Sequence, residues 1–332
     1  RPVTVCVAGD WNGWSPYDDC MVRLGDTPLY FTTIELPVDA RVEYLLVVDD
    51  RPTRDPLNPQ RSIGPKSNSE VRMPEYESPR KPCDAPSGEI RNLTVSSKAL
   101  GYSIEVWVYV PPVRRESYPT LYVLDGGDYL RYAEMHEVLD CLIHRGEIPP
   151  LIAVFVQPTF RDCEYATNPA FLEFLTNELV PLIDERFPTE RNPSSRGIMG
   201  VSLGGLAALY AGLSRPDLFG RVAAQSGAFV GPSVLRAVCP AVEHIDVLAL
   251  AESAPPSLRV VLQWGEFDLI HWIDIKEANE RMYSTLVERG FDVKALVVPE
   301  GHNWGCWRGH LAELLRALWE WSDHLEPRRM FS

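Results

Sequence analysis

The 332-residue sequence has no hydrophobic run that approaches the roughly 20 residues of a membrane-spanning helix. It also lacks an excess of positive charge, because 46 acidic residues against 32 lysines and arginines give a net charge of −14. Nucleic-acid binding depends mainly on neutralising phosphates, so this balance argues against a nucleic-acid partner and against an anionic membrane surface. A small anionic ligand held by a few local arginines remains compatible with it.

Closely spaced cysteine pairs are missing as well. The seven cysteines are scattered, and no two are separated by only two residues. We therefore expect no zinc site and no disulfide framework, and interpret the cysteines as reduced thiols. The start of the sequence shows no signal-peptide pattern, which favours a cytoplasmic protein. A signal peptide removed from a longer precursor would instead indicate a periplasmic or secreted one.

Two contrasting patterns are present. Residues 1–75 contain short strand-like runs such as VTVCVAGDW and RVEYLLVVDD, separated by turns rich in Gly, Pro, Asn and Asp. They predict a small all-β domain. Residues 76–89 are rich in proline, which favours an extended, semi-rigid linker.

Residues 90–332 alternate between buried-type strands and amphipathic helical runs. A leading β-pair is expected within 90–110, and further strands at 120–127, 151–157, 196–201, 221–227, 258–265 and 294–300. Helical runs occupy 133–146, 168–187, 275–290 and 308–325. This alternation predicts an α/β fold, with a mostly parallel sheet covered by helices on both faces.

The stretch GIMGVSLGGLAALYAG, residues 197–212, places one serine between glycines. Within it, residues 200–204 match the pattern G-x-S-x-G, between an apolar strand and a helical run. In that setting the serine occupies a sharp strand-to-helix turn, which exposes its hydroxyl at the edge of the sheet. We predict that Ser202 is a nucleophile. The alternative is a turn of small residues with an inert serine.

A serine nucleophile needs a base, and the base needs an orienting carboxylate. Hydrolases with this motif carry the three in the order serine, acid, histidine. Downstream, the run VVLQWGEFDLIHW contains Asp268, and VVPEGHNWGCWRGH contains His302. We predict Asp268 as the acid and His302 as the base, with the open alternatives Glu266, Asp274 and His271.

The charge that develops on the ester carbonyl oxygen needs hydrogen-bond donors. The amide of Leu203 follows the nucleophile at the start of the predicted helix. A second donor is expected after an earlier strand, where YVLDGGDYL offers the amide of Gly127. The alternative for this Gly-Gly pair is an ordinary tight turn.

Several of these motifs together resemble the enterochelin esterase and esterase-D-type branch of the α/β-hydrolases. The likeness covers roughly residues 90–325 and depends on YVLDGGDY, RDCEYATNPAFLEFLTNELVPLI, GVSLGGLAALYAGLSRPDLFGRVAAQSGAF, GEFD and EGHNWGCWRGHL. The resemblance implies an α/β-hydrolase fold, the triad Ser202, Asp268 and His302, and oxyanion donation from Gly127 and Leu203. It also implies that Trp307 and Arg308 line or buttress the site, and that Arg161, with Glu164, lies near its mouth.

Aromatic residues are frequent around the predicted site. They provide either a stacking surface for an aryl acyl group or core packing, and they are Tyr129, Phe160, Phe229, Trp272, Trp304 and Trp307. Arg161 and Arg308 can hold a carboxylate or a catecholate, although Glu164 can also neutralise Arg161. We expect substrate contacts from Tyr129, Trp304, Trp307 and the two arginines.

The segment GDWNGWSP, residues 9–16, resembles the early-set, immunoglobulin-like domain that precedes several such esterases. The same motif occurs in glycogen-associated carbohydrate-binding modules. Trp11 and Trp14 can therefore stack on a sugar, or one can be a core residue while Asn12 and Gly13 form a hairpin turn. We favour the second interpretation, with the domain covering the site and shaping substrate access.

These features predict a serine carboxylesterase for a small, aryl or catecholate ester, with no metal or organic cofactor. The main alternative is a feruloyl or acetyl esterase that acts on polysaccharide esters, with a glycan-binding front domain. A third interpretation is a glycan-binding protein with a non-catalytic hydrolase scaffold. The sequence leaves homo-oligomerisation open.

Overall fold

The computed structural model describes residues 4–78, 83–271 and 273–320. The N-terminal β-unit, residues 4–78, contains an antiparallel sheet with the strand order β2-β1-β5-β6, in which β7 also pairs with β5. A separate hairpin is formed by β3 and β4. The strands are β1 (Val5–Gly9), β2 (Asp19–Cys20), β3 (Val22–Arg23), β4 (Tyr30–Phe31), β5 (Arg41–Val48), β6 (Arg51–Thr53) and β7 (Ser69–Arg72).

The GDWNGW segment forms a compact turn within this unit. Asp10–Asn12 is a 3₁₀ turn, and Gly13 follows it with φ 61°. The turn is therefore not the simple hairpin that the sequence suggested. Trp11 and Trp14 are both partly buried, and the indole N–H of Trp11 donates to Asp19 (2.8 Å).

The αβ unit, residues 83–320 without residue 272, contains the large sheet. The strands of this unit are β8 (Glu89–Ser96), β9 (Ser103–Val110), β10 (Thr120–Leu124), β11 (Ile152–Gln157), β12 (Arg196–Val201), β13 (Arg221–Gln225), β14 (Arg259–Phe267), β15 (Leu269–Ile270), β16 (Ile273–Asp274) and β17 (Asp292–Gly301). Its helices are α1 (Gly126–Arg131), α2 (Met135–His144), α3 (Arg161–Tyr165), α4 (Pro169–Glu173), α5 (Val180–Arg186), α6 (Leu203–Ser214), α7 (Pro232–Val238), α8 (Val247–Ser253), α9 (Ile275–Glu288) and α10 (Trp304–Trp319).

The large sheet has the strand order β17-β14-β13-β12-β10-β11-β9-β8. Strands β11 to β17 along this order are parallel, while β9 and β8 continue it antiparallel. Alternate residues of β10 pack into two different cores: Tyr122 and Leu124 face one, and Leu121 and Val123 face the other. Helices cover both faces, which explains the continuous apolar strands and confirms the predicted α/β sheet.

Two predicted helices differ in detail from the observed ones. The run 168–187 is divided into α4, a π-helical stretch (Phe174–Leu179) and α5, where Pro181 has no N–H to donate. The last helix begins earlier than expected because Asn303 caps it by accepting from the amide of Cys306 (3.0 Å). The predicted continuation to residue 325 lies outside the described residues. None of the described helices is long and apolar enough to cross a membrane.

The structure contradicts the expectation that the cysteines are scattered reduced thiols. One disulfide joins Cys6 to Cys20 across β1 and β2, and another joins Cys163 in α3 to Cys239 after α7. Their partners are 14 and 76 residues apart, so the pairing depends on the fold rather than on a local spacing pattern. Among the described residues, the cysteines without a disulfide are Cys83, Cys141 and Cys306.

Candidate active site

Ser202 occupies the turn between β12 and α6, with φ 55° and ψ −121°. This conformation is strained for a residue with a side chain, so the surrounding structure must enforce it. The amide of Ser202 donates to the Gln225 carbonyl (2.9 Å), and its own carbonyl accepts from the Ala228 amide (2.9 Å). The end of β13 thus holds the turn in place, and the serine side chain remains partly exposed.

The glycines of the G-x-S-x-G motif allow the strand and the helix to pass closely. A Cβ placed on Gly200 would lie 2.5 Å from the carbonyl carbon of Gly204. A Cβ on Gly204 would lie 2.9 Å from Oδ2 of Asp125. Any side chain at Gly200 would therefore move α6 away from β12 and change the turn that carries Ser202.

Asp268 and His302 meet at the same edge of the sheet. Asp268 follows β14 and is fully buried, while His302 follows β17. Nδ1 of His302 lies 2.5 Å from Oδ1 of Asp268, and Oδ2 of Asp268 accepts from the Gly265 amide (3.3 Å). This pairing fixes the imidazole orientation and leaves Nε2 as the ring nitrogen that can accept a proton.

The alternative acids and base lie elsewhere. Asp274 caps α9 by accepting from the Glu277 amide (2.8 Å), which is a structural role. Glu266 and His271 are both exposed. Of the candidates weighed from the sequence, His302 and Asp268 are the pair that the structure brings together.

Trp307 links this pair to the strand beside Ser202. Its ring packs edge-on against His302, with centroids 5.0 Å apart. Its indole N–H donates to Oγ of Ser226 (2.8 Å), which follows β13. Because β13 lies between the strands that precede Ser202 and Asp268, Trp307 buttresses the imidazole near the middle of this edge.

The two predicted oxyanion donors differ in their present partners. Leu203 is the first residue of α6, where amides have no acceptor within the helix. The Gly127 amide donates to Oε1 of Gln157 (2.9 Å), at the end of β11. An incoming oxygen would compete with Gln157 for this amide, and sequence reasoning missed Gln157 because it lies 30 positions away.

Arg161 lies beside the nucleophile turn but is already paired. Its guanidinium donates to both carboxylate oxygens of Asp125 (2.7 and 2.8 Å) and to the Val201 carbonyl (3.3 Å). Burial lowers the pKa of Arg161, but the charge of Asp125 outweighs this and raises it overall. Glu164 is not its partner, since that carboxylate accepts instead from the Tyr102 hydroxyl (2.8 Å).

Two predicted substrate contacts are core residues. Tyr129 has no exposed surface, and its hydroxyl donates to Oε1 of Gln225 (2.8 Å). Trp304 is 9% exposed and packs against Tyr129, Tyr132 and Trp307. The expectation that Tyr129 and Trp304 contact substrate is therefore corrected to the packing alternative.

Arg308 also takes a different position from the expected one. It donates to Glu134 (2.6 Å) and to the Tyr132 carbonyl (3.2 Å). It borders a cavity of about 1070 Å³ whose lining includes neither Ser202 nor His302. The predicted substrate contact for Arg308 is thus not supported by its surroundings.

Among the remaining aromatic candidates that the structure describes, Phe160 is the accessible one. The residue is 60% exposed, and its ring packs edge-on against Tyr102. Phe229 is buried, and Trp272 lies outside the described residues. Within the described ranges, no group of three or more His, Cys, Asp or Glu side chains is arranged to hold a metal ion.

Comparisons with known proteins show the family of this chain. Residues 97–318 match the family model described as "Putative esterase". The chain is 30% identical over 274 residues to the Iron(III) enterobactin esterase of Escherichia coli O6:H1, covering 80% of this chain and 67% of that protein.

Solved structures show the same likeness. The enterobactin esterase of Shigella flexneri, determined in the presence of enterobactin, aligns with a TM-score of 0.78 and 27% identity over 96% of this chain and 88% of that chain. A ferulic acid esterase aligns with a TM-score of 0.60 and 21% identity over 70% of this chain and 99% of that chain, a likeness in fold. The chain is therefore an ester hydrolase with the α/β-hydrolase fold, and it belongs to the enterochelin esterase branch of the "Putative esterase" family.

Proposed function

We propose that this chain is a serine carboxylesterase in which Ser202 is the nucleophile, His302 the general base and Asp268 the orienting acid. The carrying observation is the short Asp268–His302 contact at the sheet edge where Ser202 stands on its strained turn. Edge-on packing of Trp307 against the imidazole supports the same assignment.

The proposed reaction passes through an acyl-enzyme. Oγ of Ser202 attacks the ester carbonyl while Nε2 of His302 takes the hydroxyl proton. The protonated imidazole then gives that proton to the leaving alcohol, which leaves an acyl-enzyme. Water, activated by the same nitrogen, hydrolyses the acyl-enzyme and restores Ser202, while Asp268 keeps the imidazole in the productive tautomer throughout.

The tetrahedral oxyanion is stabilised by the amides of Leu203 and Gly127 in this proposal. The Leu203 amide is at the start of α6, where the helix dipole also favours negative charge. The Gly127 amide takes part once the carboxamide of Gln157 gives up its bond to it. Each such donor typically contributes about 10²–10³ in rate.

For the substrate, we propose a catecholate ester or lactone. The relatives named as enterobactin esterases supply the main support, because they align over most of the chain. The exposed ring of Phe160 offers a stacking surface for an aryl group, close in sequence to Arg161 beside the nucleophile turn.

The disulfides bear on the compartment. Disulfides persist in oxidising environments and are rare in the cytosol of mesophiles. The two disulfides therefore favour the periplasmic or extracellular alternative over the cytoplasmic expectation. Alkylation of the protein taken directly from its native cells would test this, since four protected cysteines support the proposal and full alkylation contradicts it.

The mechanism is tested by Ser202→Ala with p-nitrophenyl acetate as substrate. The variant should keep its thermal unfolding midpoint and lose turnover by about 10⁶-fold. Retained turnover would remove the mechanism. A panel of enterobactin, methyl ferulate and acetylated xylan then separates the substrate classes, and turnover of the latter two alone would favour the polysaccharide-ester alternative.

A further inference from the structure

The loop that carries His302 is in direct contact with the N-terminal β-unit. We call residues Glu300–Trp304 the base loop. Arg41, in β5, donates from Nη1 to Oδ1 of Asn303 (2.9 Å) and to Oε2 of Glu300 (3.2 Å). Asn303 follows His302 directly, and Glu300 lies two residues before it. A single guanidinium therefore binds the chain on both sides of His302.

Arg41 is itself rigidly held. It is 2% exposed, and its Nη2 donates to Glu43 (3.2 Å) and Glu70 (2.5 Å) within the N-terminal β-unit. Burial acts to lower the pKa of Arg41, but the charges of Glu300, Glu70 and Glu43 together raise it. The side chain thus stays charged and joins two units through a planar fork that a lysine cannot reproduce.

A second side chain of the same unit, Asp10, binds the amide nitrogen of the Asn303 side chain. Oδ2 of Asp10 accepts from Nδ2 of Asn303 (3.1 Å) and from the Glu43 amide (2.7 Å). Oδ1 of Asp10 accepts from the indole N–H of Trp14 (3.2 Å). Both ends of the Asn303 carboxamide are therefore fixed by the N-terminal β-unit, directly beside His302.

Gly301 and Gly305, near His302, leave room for the side chains of Asp10 and Arg41. A Cβ on Gly301 would lie 2.1 Å from Cγ of Asp10, and a Cβ on Gly305 would lie 1.9 Å from Nη2 of Arg41. Neither glycine has a positive φ, so their small size answers a close approach rather than a backbone demand. The base loop and the first turn of α10 thus leave space for the side chains of Asp10 and Arg41.

The same unit also approaches the loop that follows the triad acid. A Cβ on Gly13 would lie 3.2 Å from the carbonyl oxygen of His271 and 3.5 Å from Cβ of Leu269. The GDWNGW segment therefore lies close both to the loop that follows Asp268 and to the residues on either side of His302. This placement gives the segment a role other than sugar stacking.

We propose that Arg41 and Asp10 are positioning residues, through which the N-terminal β-unit sets His302 for proton transfer by fixing Asn303 and Glu300. The inference rests on the proposed function, in which His302 is the base. It predicts that loosening this contact lowers kcat, because proton transfer depends on the imidazole position, while substrate binding and hence KM change little.

The test uses Arg41→Lys, which keeps the charge but loses the fork, and Gly305→Ala, which pushes Arg41 away from the opposite side. Because alanine is a better helix former than glycine, Gly305→Ala disturbs the position of Arg41 without weakening α10 itself. Turnover of p-nitrophenyl acetate is normalised to sites titrated with a fluorophosphonate. We expect kcat per titrated site to fall about tenfold or more in both variants, with KM within about twofold.

The matched control is Arg72→Lys. Arg72 also pairs with Glu70 (2.7 Å), but its side chain is half-exposed, and among the described residues its hydrogen bond is to Glu70 rather than to the base loop. It should keep kcat per titrated site. Wild-type kcat in Arg41→Lys and Gly305→Ala overturns the positioning role, and if Gly305→Ala does not fold, Arg41→Lys decides alone. Ser202→Ala in the same series separates the two proposals, because activity there overturns the proposed function instead.

Discussion

At the scale of single residues, Trp307 joins packing to chemistry. Its indole N–H bonds Ser226 and its ring supports His302. Such a residue combines about 1 kcal/mol of hydrogen bonding with the orientation of the proposed base. Loss of the indole should therefore affect both stability and rate.

Trp307→Phe should lower kcat more than it lowers KM and should destabilise the fold. Trp319→Phe is the matched control, because the indole nitrogen of Trp319 is buried without a hydrogen-bond partner among the described residues. Urea unfolding should show the Trp307 variant about 1 kcal/mol less stable than the control. Equal stabilities and equal rates for the two variants would contradict the role given to Trp307.

Asp10 carries a second residue-scale prediction. Burial, and then the charge of Glu43, raise the pKa of this carboxyl well above its ordinary value of 3.8. A raised folded-state pKa means that the folded protein binds this proton more tightly. The contribution of Asp10 to stability is therefore complete below the unfolded pKa and is lost as pH rises through the folded pKa.

Asp10→Asn removes this titration. The free energy of unfolding of the wild type, measured relative to the variant, should therefore decrease as pH rises above about 4. Urea unfolding of both proteins across a pH series measures it. A difference between them that stays constant with pH would show that Asp10 does not titrate as described.

The sequence was enough to propose Ser202, Asp268 and His302 as a triad, because they follow strands in a fixed order and Ser202 lies in a recognisable motif. The contacts that hold Asp268 and His302 could not be predicted in the same way. Arg41 and Asn303 are 262 positions apart, and no local signal links them. Tyr129 and Trp304 were misassigned because an aromatic residue near a site looks the same in sequence whether it faces the core or the solvent.

At the scale of elements, the strands were easier to predict from the sequence than the disulfides. The apolar runs of β10 to β14 predict strands because both faces of the sheet are covered. Helix interruptions depend on single residues such as Pro181, and disulfides depend on which loops meet in the fold. Neither property is visible in hydrophobic periodicity.

The disulfide between Cys163 and Cys239 ties α3, which also carries Arg161, to the end of α7. It closes a loop of 76 residues, for which chain entropy gives about 4.5 kcal/mol of stabilisation. Cys163→Ala should lower the thermal midpoint under oxidising conditions. Dithiothreitol should then lower the midpoint of this variant less than it lowers that of the wild type, because one disulfide is already absent. Cys306→Ala is the control, since Cys306 has no disulfide, and an equal loss of reductant sensitivity there would contradict the assignment.

At the scale of the whole molecule, the net charge of −14 acts on any anionic substrate. Like charges slow association, and salt screens the repulsion over about 8–10 Å at physiological ionic strength. A trianionic ferric catecholate complex should therefore show kcat/KM that rises with added salt. The neutral ester p-nitrophenyl acetate is the control and should show little change, and a kcat/KM for the ferric complex that falls with salt would indicate a local basic site.

The large-scale arrangement also gives the N-terminal β-unit a reason to be present. Its buried charges, Arg41 and Asp10, face the base loop rather than solvent. A unit that only covered the substrate entrance would not need a buried ion pair and a buried hydrogen bond against the loop that carries His302. In the proposed account, the N-terminal β-unit thus supports the base loop through residues that lie far from His302 in the sequence.

The most direct measurement is the identification of the nucleophile by mass spectrometry after reaction with a fluorophosphonate. Ser226 is the informative competitor, since it follows the neighbouring strand with φ 50° and also contacts Trp307. We predict one adduct, on Ser202, which persists in Ser226→Ala and disappears in Ser202→Ala together with ester turnover. An adduct on Ser226, or ester turnover that remains in Ser202→Ala, would contradict the central claim.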